Sequence, residues 1–332
     1  MDIELARMAI AHQAANEYHV GHISFICRVG ANSDRDVGTQ IVGEFIGMAS
    51  SGRRRCRLNS RGTIAVAAVL CLTALTASAS SITWNVDGGG AWDTSTTNWT
   101  GDATIFTDDG TVNVTFDNSA GGTIAISSNV SPRSTTVSAS SGTYTFTGGP
   151  IDSGTLTKSG GGTLSLGEEQ HTFTGKTVIA SGQVKVRGHF NAGTAGPLGA
   201  PTGADATIDM HPGTTLQVGA PARSVYYSTD RAINLAGAGA GIITLQNGWN
   251  DEWCAFGAVS GTGTGPRTLN LACGGDRARI RISGPISDTS DGDVSLDIPF
   301  RSQAAAAGRV YLEGTNTFSG PIAMTASRLD RN

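Results

Sequence analysis

Four aspartates in one short segment are the first candidates for chemistry. Asp288, Asp291, Asp293 and Asp297 fall within ISDTSDGDVSLDI, and oxygen-rich loops of this kind bind calcium. The spacing is not that of an EF-hand, and no GGxGxD calcium repeat recurs along the chain. A solvated loop is the simpler interpretation. We therefore predict no metal site here and keep a calcium loop at Asp288, Asp291 and Asp293 as the alternative.

Other acidic residues suggest glycoside cleavage, which needs two carboxyl groups facing each other across a groove. The best candidates are Asp205, Asp209 and His211, with Asp230 and Arg231 further along the chain. An isolated aspartate in a glycine-rich β-turn is normally a turn residue. The chain has no GxSxG elbow, and its glycine runs do not open helices as phosphate loops do. We therefore predict a protein without catalytic residues and without a cofactor.

Aromatic residues offer a second kind of site, because sugar rings stack on exposed aromatic faces. Trp249 and Trp253, near Tyr226 and Tyr227, are the grouping that fits this role. Aromatic side chains in repeat folds more often fill the core or shield an end, and that alternative stays open. The remaining three tryptophans are predicted to cap the N-terminal end of the fold: Trp84, Trp92 and Trp99.

The composition indicates which elements must position these residues. Glycine contributes 46 of 332 residues, about twice its usual share, and charged residues make up only 15%. Hydrophobic residues still make up 39%, so a core can form. This profile excludes a coiled coil and an ordinary helix-rich enzyme. The net charge of −4 gives no electrostatic footprint for nucleic acid, so no nucleic-acid partner is expected.

Residues 48–79 have the order of parts found in secretory signal peptides. Five arginines precede a short apolar run, and Ala77-Ser78-Ala79 forms a small-x-small cleavage site. The apolar run is too short to span a bilayer comfortably. We therefore predict a cleaved signal peptide, with the cut between Ala79 and Ser80.

The signal-like segment begins well inside the chain. Met48 stands just ahead of the arginines, and a start there would give a signal of normal length. Residues 1–47 are therefore interpreted as an extension from a start codon placed too far upstream, with one amphipathic helix over residues 2–16.

Two of the five cysteines, Cys254 and Cys273, fall within the predicted mature segment 80–332. In an oxidising compartment such a pair can form a disulfide. Their separation of 19 residues is close to one coil of a solenoid, which would stack them within bonding distance. The alternative, two buried free thiols, stays open.

From Ser81 onward the chain is a series of short β-prone runs separated by Gly, Asn, Asp and Ser. Each run alternates apolar with polar residues, the pattern of a strand that buries one face. Helical periodicity is absent and no long linker breaks the series. Residues 80–332 are therefore predicted to form one all-β domain. Clear examples of the runs are Thr111–Phe116, Thr123–Ile126, Thr143–Phe146, Thr163–Leu166, Thr177–Ile179 and Gln183–Val186.

Two segments of this domain resemble each other: GTLSLGEEQHTFTG (residues 162–175) and GRVYLEGTNTFSG (residues 308–320). In each, a strand and a polar turn are followed by an aromatic residue, a glycine and a second β run. Such units bury a face only by stacking on their neighbours. The corresponding pairs are Leu166 with Leu312, Phe173 with Phe318, and Gly175 with Gly320.

The string LTKSGGGTLSLGEEQHTFTGKTVIASGQVKV, residues 156–186, resembles the autotransporter-associated β-strand repeat, also called the passenger-associated transport repeat. That family's pattern is a Leu-Thr-Lys-x-Gly-x-Gly-x-Leu run, an Asn-Thr-Tyr/Phe-x-Gly turn and a Gly-x-Leu strand. The chain departs from it at Gln170-His171, where Asn is usual, and at Arg328, where the second copy should have Gly. The matching positions are Leu156, Thr157, Lys158, Gly160, Gly162, Leu164, Phe173, Gly175, Gly182 and Val184.

The resemblance implies a right-handed parallel β-helix, a β-solenoid, that is secreted or held on a bacterial cell surface at the outer membrane. With about 20 to 25 residues per coil, residues 80–332 would give about ten coils. The implied role is a non-catalytic passenger or adhesin-like stalk, and a carbohydrate-binding or carbohydrate-cleaving β-helix is the alternative.

The resemblance also implies partners. These are outer-membrane export machinery or a barrel outside this chain, and surface glycans or proteins. Because the chain stops within a repeat at Asn332, we expect it to be truncated.

Overall fold

The computed structural model describes residues 9–10, 21–28, 40–47, 79–118, 120–219, 225–248, 252–274, 277–300 and 308–326. The predicted signal segment lies outside the described residues as far as residue 78, and so do Trp249 and Arg328. The chain divides into two units, Met1–Leu72 and Thr73–Asn332, and each is described by itself.

The first unit contains a three-stranded antiparallel sheet. β1 (Ala9–Ile10) pairs with β2 (Gly21–Arg28), which pairs with β3 (Gln40–Gly47). The helix predicted over residues 2–16 is therefore wrong at Ala9–Ile10. These two residues pair across the sheet instead, and strand pairing overrides the weak constraint of helix propensity.

The second unit is built from short strands and one 3₁₀ turn at Gly203–Ala206. Its strands in chain order are β4 (Ser81–Trp84), β5 (Gly88–Trp92), β6 (Trp99–Gly101), β7 (Asn113–Phe116), β8 (Gly122–Ile126), β9 (Ser134–Val137), β10 (Thr143–Gly148), β11 (Thr155–Lys158), β12 (Thr163–Leu166), β13 (Thr177–Ile179), β14 (Gln183–Val186), β15 (Ile208–Met210), β16 (Thr214–Val218), β17 (Tyr226–Ser228), β18 (Ile233–Leu235), β19 (Gly241–Asn247), β20 (Trp253–Phe256), β21 (Val259–Thr264), β22 (Arg267–Cys273), β23 (Arg279–Ile282), β24 (Ile286–Asp291), β25 (Val294–Phe300), β26 (Arg309–Leu312) and β27 (Ile322–Ala326).

These strands form three sheets, and the chain passes from one sheet to the next as it winds. Sheet 1 has the order β24-β21-β18-β15-β13-β11-β9-β7-β4-β6, sheet 2 has the order β27-β25-β22-β19-β16-β14-β12-β10-β8-β5, and sheet 3 has the order β17-β20-β23-β26. Every pairing in them is parallel except that of β6 with β4. The second unit is therefore an all-β, β-solenoid-like fold, as the sequence predicts.

The core follows from alternation along each strand. In β12, Leu164 and Leu166 are buried while Thr163 and Ser165 face outward. The parallel register repeats this in the next coil, where Val184 stacks on Leu164. Continuous apolar columns thus run through the solenoid, because a residue's neighbours are the residues at its own position one coil away.

The N-terminal end of the solenoid is filled by aromatic side chains, as predicted. Trp84, Trp92 and Trp99 are each at most 2% exposed. The rings of Trp84 and Trp99 meet edge to face at 5.0 Å, and Phe116 from the next coil contacts all three tryptophans. Because β6 returns antiparallel along β4, the edge of sheet 1 is also paired at this end.

Coil length increases along the unit. The hydrogen bond from Ser134 to Asn113 joins neighbouring coils and spans 21 residues. The bond from Ile286 to Asn316, near the other end, spans 30 residues. The extra residues build sheet 3, so the prediction of about 20 to 25 residues per coil fits the early coils and is too small for the later ones.

Buried cations satisfy backbone carbonyls at the corners between sheets. Lys158 is fully buried, and its ammonium donates to the carbonyls of Ser159 at 2.8 Å, Gly160 at 2.7 Å and Ser181, one coil on, at 3.3 Å. Burial lowers the pKa of Lys158 to about 8, so the ammonium keeps all three donors at neutral pH. Arg267 donates in the same way to turn carbonyls of the preceding coil. Since buried carbonyls need partners, these cations hold the corners together.

His171 and Asn316 occupy equivalent places in the two similar segments. The His171 Nδ1 accepts the backbone N–H of Ile151 at 3.0 Å, and the Asn316 Oδ1 accepts the backbone N–H of Ile286 at 2.9 Å. The next residue in each segment donates its N–H to the carbonyl of the same isoleucine. Histidine therefore supplies the acceptor that asparagine supplies in the other copy, although the strands of the two copies lie in different sheets.

Replacing Lys158 by methionine should destabilise the fold. Three carbonyls lose a donor, and each unsatisfied buried polar group costs about 1 to 3 kcal/mol. We expect the free energy of unfolding, measured with urea, to fall by at least about 2 kcal/mol. Lys185→Met is the matched control, because Lys185 lies on the outer side of β14, and it should change stability by less than about 0.5 kcal/mol. Equal losses in both variants would contradict the corner role.

His171 should make the fold sensitive to acid. Burial lowers its pKa from 6.5 to about 4, so between these pH values the unfolded chain binds a proton that the folded chain does not. Stability is therefore lost as the pH falls from 6.5 towards 4, by about 3 kcal/mol at about 1.4 kcal/mol per pKa unit.

The test is His171→Asn, which keeps an acceptor and removes the titration. Its free energy of unfolding relative to the wild type should rise as the pH falls through this window, in urea titrations at pH 7 and pH 4.5. His211→Asn is the control, because His211 is only partly buried. A pH profile of His171→Asn parallel to that of the wild type would refute the assignment.

Candidate functional site

Sheet 3 presents an outer face on which the parallel register aligns side chains in two rows. The first row is Tyr226, Trp253, Arg279 and Arg309. The second row is Ser228, Ala255, Arg281 and Tyr311. Residues between the rows, such as Tyr227 and Ile280, are buried because alternate side chains of a strand point to opposite sides. These eight residues are called here the outer face of sheet 3.

Trp253 is the centre of a stack on this face. Its ring centre lies 5.8 Å from that of Tyr311, with an angle of 8° between the two planes. The guanidinium carbon of Arg279 lies 4.3 Å from the centre of the Trp253 ring, which is a cation–π contact. Tyr226 extends the aromatic surface and is 45% exposed. The rings and the guanidinium thus support one another without a ligand.

A groove of about 330 Å³ lies beside the stack. Ser228 and Ala255 line it together with Tyr226, Arg281 and Asp230. Ser228 and Ala255 are small and adjacent in the register, so they leave room above the sheet next to Arg281. The groove therefore combines an aromatic side chain, a guanidinium and hydroxyl and carboxyl groups within one open surface feature.

A long loop over residues 187–207 forms one wall of the groove. The His189 Nδ1 accepts the backbone N–H of Ser228 at 3.1 Å, and the Asn191 Oδ1 accepts the backbone N–H of Asp230 at 3.1 Å. The Asp230 carboxylate in turn accepts a backbone N–H of the loop at 2.8 Å. These bonds attach the loop to the first strand of sheet 3, so the wall is fixed in place.

The outer face of sheet 3 is basic although the domain is acidic. The face carries Arg279, Arg281 and Arg309, and the adjacent Glu313 lies 2.6 Å from the Arg281 guanidinium. Hydrogen bonding to Glu313 raises the pKa of Arg281, so the pair stays ionised, and 38% and 41% of the two side chains remain exposed. Residues 80–332 as a whole carry 15 Lys and Arg against 21 Asp and Glu. The excess of cations here is therefore local.

The structure places only part of the predicted aromatic grouping on this face. Tyr226 and Trp253 point outward, Tyr227 points into the core at 7% exposure, and Trp249 lies outside the described residues. Sequence reasoning missed the basic residues of the site. The signal was the alternation in RIRI at residues 279–282, which puts both arginines on one side of a strand.

The residues considered for glycoside cleavage have separate local roles. Asp209 forms an ion pair with Lys176 at 2.7 Å, and Asp205 lies in the first turn of the 3₁₀ segment. Arg231 is 1% exposed and donates to backbone carbonyls of the preceding coil, while burial lowers its pKa to about 10. The Asp230 carboxylate accepts the backbone N–H of Ala192 in the loop over residues 187–207. Each of these residues thus contacts its own strand, turn or corner of the solenoid.

The prediction of a solvated aspartate loop is wrong for most of this segment, because Asp288 and Asp291 lie in β24 and Asp297 lies in β25. The Asp288 Oδ1 accepts the backbone N–H groups of Val294 at 2.8 Å and Ser319 at 3.0 Å, and these bonds lower its pKa. The Asp293 carboxylate accepts the hydroxyl of Ser319 at 3.0 Å. The side chain of Asp291 lies outside the described residues. In the part of the chain that the structure describes, no three His, Cys, Asp or Glu side chains are grouped to hold a metal.

Cys254 and Cys273 are both buried and free in the structure. They lie on strands of different sheets, and one coil beyond Cys254 the register places Ile280. The separation of 19 residues is therefore shorter than one coil here. Burial raises the pKa of Cys273 to about 11 and also raises the pKa of Cys254 well above its usual value. A disulfide between them stays a prediction.

Ala79 and Ser80, the predicted cleavage site, are described immediately before β4 and are partly buried. Across the described ranges, no helix is long and apolar enough to cross a membrane.

No protein-family model, curated protein or solved structure matches this chain. The class of the protein is defined by its fold and its site: it is an all-β, solenoid-like protein with an aromatic and basic outer face.

The two cysteines should be unreactive towards a thiol reagent such as DTNB in the folded exported protein, because both are buried with raised pKa values. Both should react at once in urea without reductant. This outcome would exclude the disulfide. If neither reacts in urea until reductant is added, the disulfide prediction is correct and the free thiols are not. Cys254→Ser provides the control, since it should lower the count of reactive thiols by one.

Proposed function

We propose that residues 80–332 are exported and act as a non-catalytic surface or extracellular passenger, an adhesin-like solenoid stalk. The observation that carries the proposal is the stack of short coils joined by parallel strand pairing from Ser81 to Ala326. A stack of this kind offers long outward faces for contact with other molecules, since each coil contributes a few side chains to each face.

The resemblance to the autotransporter-associated repeat gains a physical basis from the corner contacts. Lys158, a position that matches the family pattern, caps the carbonyls of its corner. His171 departs from that pattern but supplies the acceptor that Asn316 supplies in the second copy. Both motif positions thus join adjacent coils, which supports their interpretation as parts of a structural repeat.

The signal-like segment supports export. Its basic, apolar and small-residue parts occur in the expected order, and cleavage before Ser80 would leave a chain that begins at the first coil. The partners that this role requires are export machinery or a barrel outside the chain, at the outer membrane of a bacterium, together with a surface glycan or protein.

A second candidate function, carbohydrate binding, is favoured by the outer face of sheet 3. The stacked rings of Trp253 and Tyr311 lie beside an open groove with hydroxyl and guanidinium groups, and ligand sites commonly combine apolar walls with a few placed polar groups. Cleavage is less supported, because the acidic residues considered for it are engaged in local contacts.

The export proposal predicts the mature N-terminus. When the full chain is expressed in a bacterium with an outer membrane, the product recovered outside the cytoplasm should begin at Ser80, as read by mass spectrometry. Ala79→Asp should leave the signal uncleaved, because the cleavage site needs a small residue there. Thr94→Asp is the control, since it introduces the same side chain at an exposed position and should be processed normally. A wild-type product that keeps residues 1–79 in the cytoplasm would refute export.

A further inference from the structure

We propose that the outer face of sheet 3 binds an acidic polysaccharide, whose sugar rings lie on the aromatic side chains and whose anionic groups meet the arginines. The inference rests on the proposed function, because it names the ligand class that an exported solenoid would meet through this face. It goes beyond that function by assigning the residues and the charge of the ligand.

The aromatic rings of this face can contact sugar rings. The rings of Trp253 and Tyr311 are stacked in parallel, with 5.8 Å between their centres and 8° between their planes. Tyr226 adds a partly exposed ring on the outermost strand of the sheet. Aromatic side chains have an apolar body suited to the C–H faces of a sugar ring. Because successive strands repeat at about 4.8 Å, a row on the sheet can contact successive units of a chain-like ligand.

The outer face of sheet 3 is positively charged. Arg279, Arg281 and Arg309 lie on two adjacent strands, and among the described residues Glu313 is the one carboxylate that forms an ion pair with them. Guanidinium groups bind carboxylates and sulfates with paired N–H donors, which gives geometric specificity as well as attraction. The excess positive charge of these arginines would not attract a neutral sugar, so the face is complementary to an anionic ligand.

A groove lies beside these groups. The small side chains of Ser228 and Ala255 leave a space of about 330 Å³ next to Arg281, and the loop at Asn191 closes one side. Hydroxyl groups of a sugar can exchange hydrogen bonds with Ser228 and Asn191 there. The ring stack, the cations and the space are contiguous, so one ligand can use all three.

Glu313 provides a test with opposite signs. Its carboxylate accepts a hydrogen bond from Arg281 Nε at 2.6 Å, so an anionic ligand must share the guanidinium with Glu313 or displace it. Removing the negative charge with Glu313→Gln should therefore tighten binding, whereas Arg281→Gln should weaken it. A purely structural role for the pair predicts changes of the same sign in both variants.

The experiment is isothermal titration of the purified, folded protein with three probes: polygalacturonate, which carries carboxylates, dextran sulfate, which carries sulfates, and neutral dextran. We expect binding of an acidic probe that weakens as salt is added, and no binding of dextran. Arg279→Gln and Trp253→Ala should each weaken it about tenfold or more, as central contacts do. Arg279→Lys should recover only part of the loss, because lysine lacks the planar donor pair.

Controls and contrary outcomes complete the test. Arg133→Gln and Ile242→Ala change exposed residues outside this face and should bind like the wild type, and circular dichroism checks that each variant folds. Equal affinity for dextran, or no acidic probe bound by the folded protein, would overturn the inference and leave the export proposal standing. A preference between carboxylate and sulfate probes identifies which anion the arginines take. If the protein is instead retained in the cytoplasm, the proposed function is wrong, and the titration still tests the binding inference by itself.

Discussion

The parallel register between coils is the constraint on which the rest of this domain depends. Each strand of the solenoid satisfies its backbone hydrogen bonds with the same position one coil away, so a residue's neighbours are fixed by register alone. Inward positions must then be apolar in every coil, as Leu164 and Val184 are, and outward positions form rows. The exceptions concentrate at corners, where the strand ladder stops and carbonyls still need donors. Lys158 and Arg267 fill that need with buried cations.

Within this constraint, the number of residues per coil varies along the domain. The early coils are short and have two main sheets, whereas the later coils carry the additional strands of sheet 3. The change begins at the loop over residues 187–207, which attaches to the first strand of that sheet through Asn191 and Asp230. The groove lies at this junction. A longer coil therefore creates both the new face and the wall beside it, while sheets 1 and 2 continue by parallel pairing, with a register shift only between β21 and β24.

The sequence predicts the strands well because their signal is local. The runs Thr163–Leu166, Thr177–Ile179 and Gln183–Val186 are strands with those limits, since alternation and glycine turns are visible within a few residues. The site was predicted less well because it depends on register between coils. Tyr226 and Tyr227 are adjacent in the sequence, yet one faces solvent and the other the core. The residue that lies next to Cys254 in the following coil also cannot be predicted from the sequence unless the number of residues per coil is known.

The choice of arginine on the outer face of sheet 3 fits the electrostatics of the whole domain. Residues 80–332 contain three lysines, of which Lys158 is buried and Lys176 is paired with Asp209. In a domain with a net negative charge, scattered exposed cations would be offset by their surroundings. Three arginines on two neighbouring strands produce instead a local positive field, and cation–π packing on Trp253 holds one of them in a defined position. A repeat fold can concentrate charge in this way because one register position recurs in every coil, so a functional row requires only that a few outward residues differ from the others.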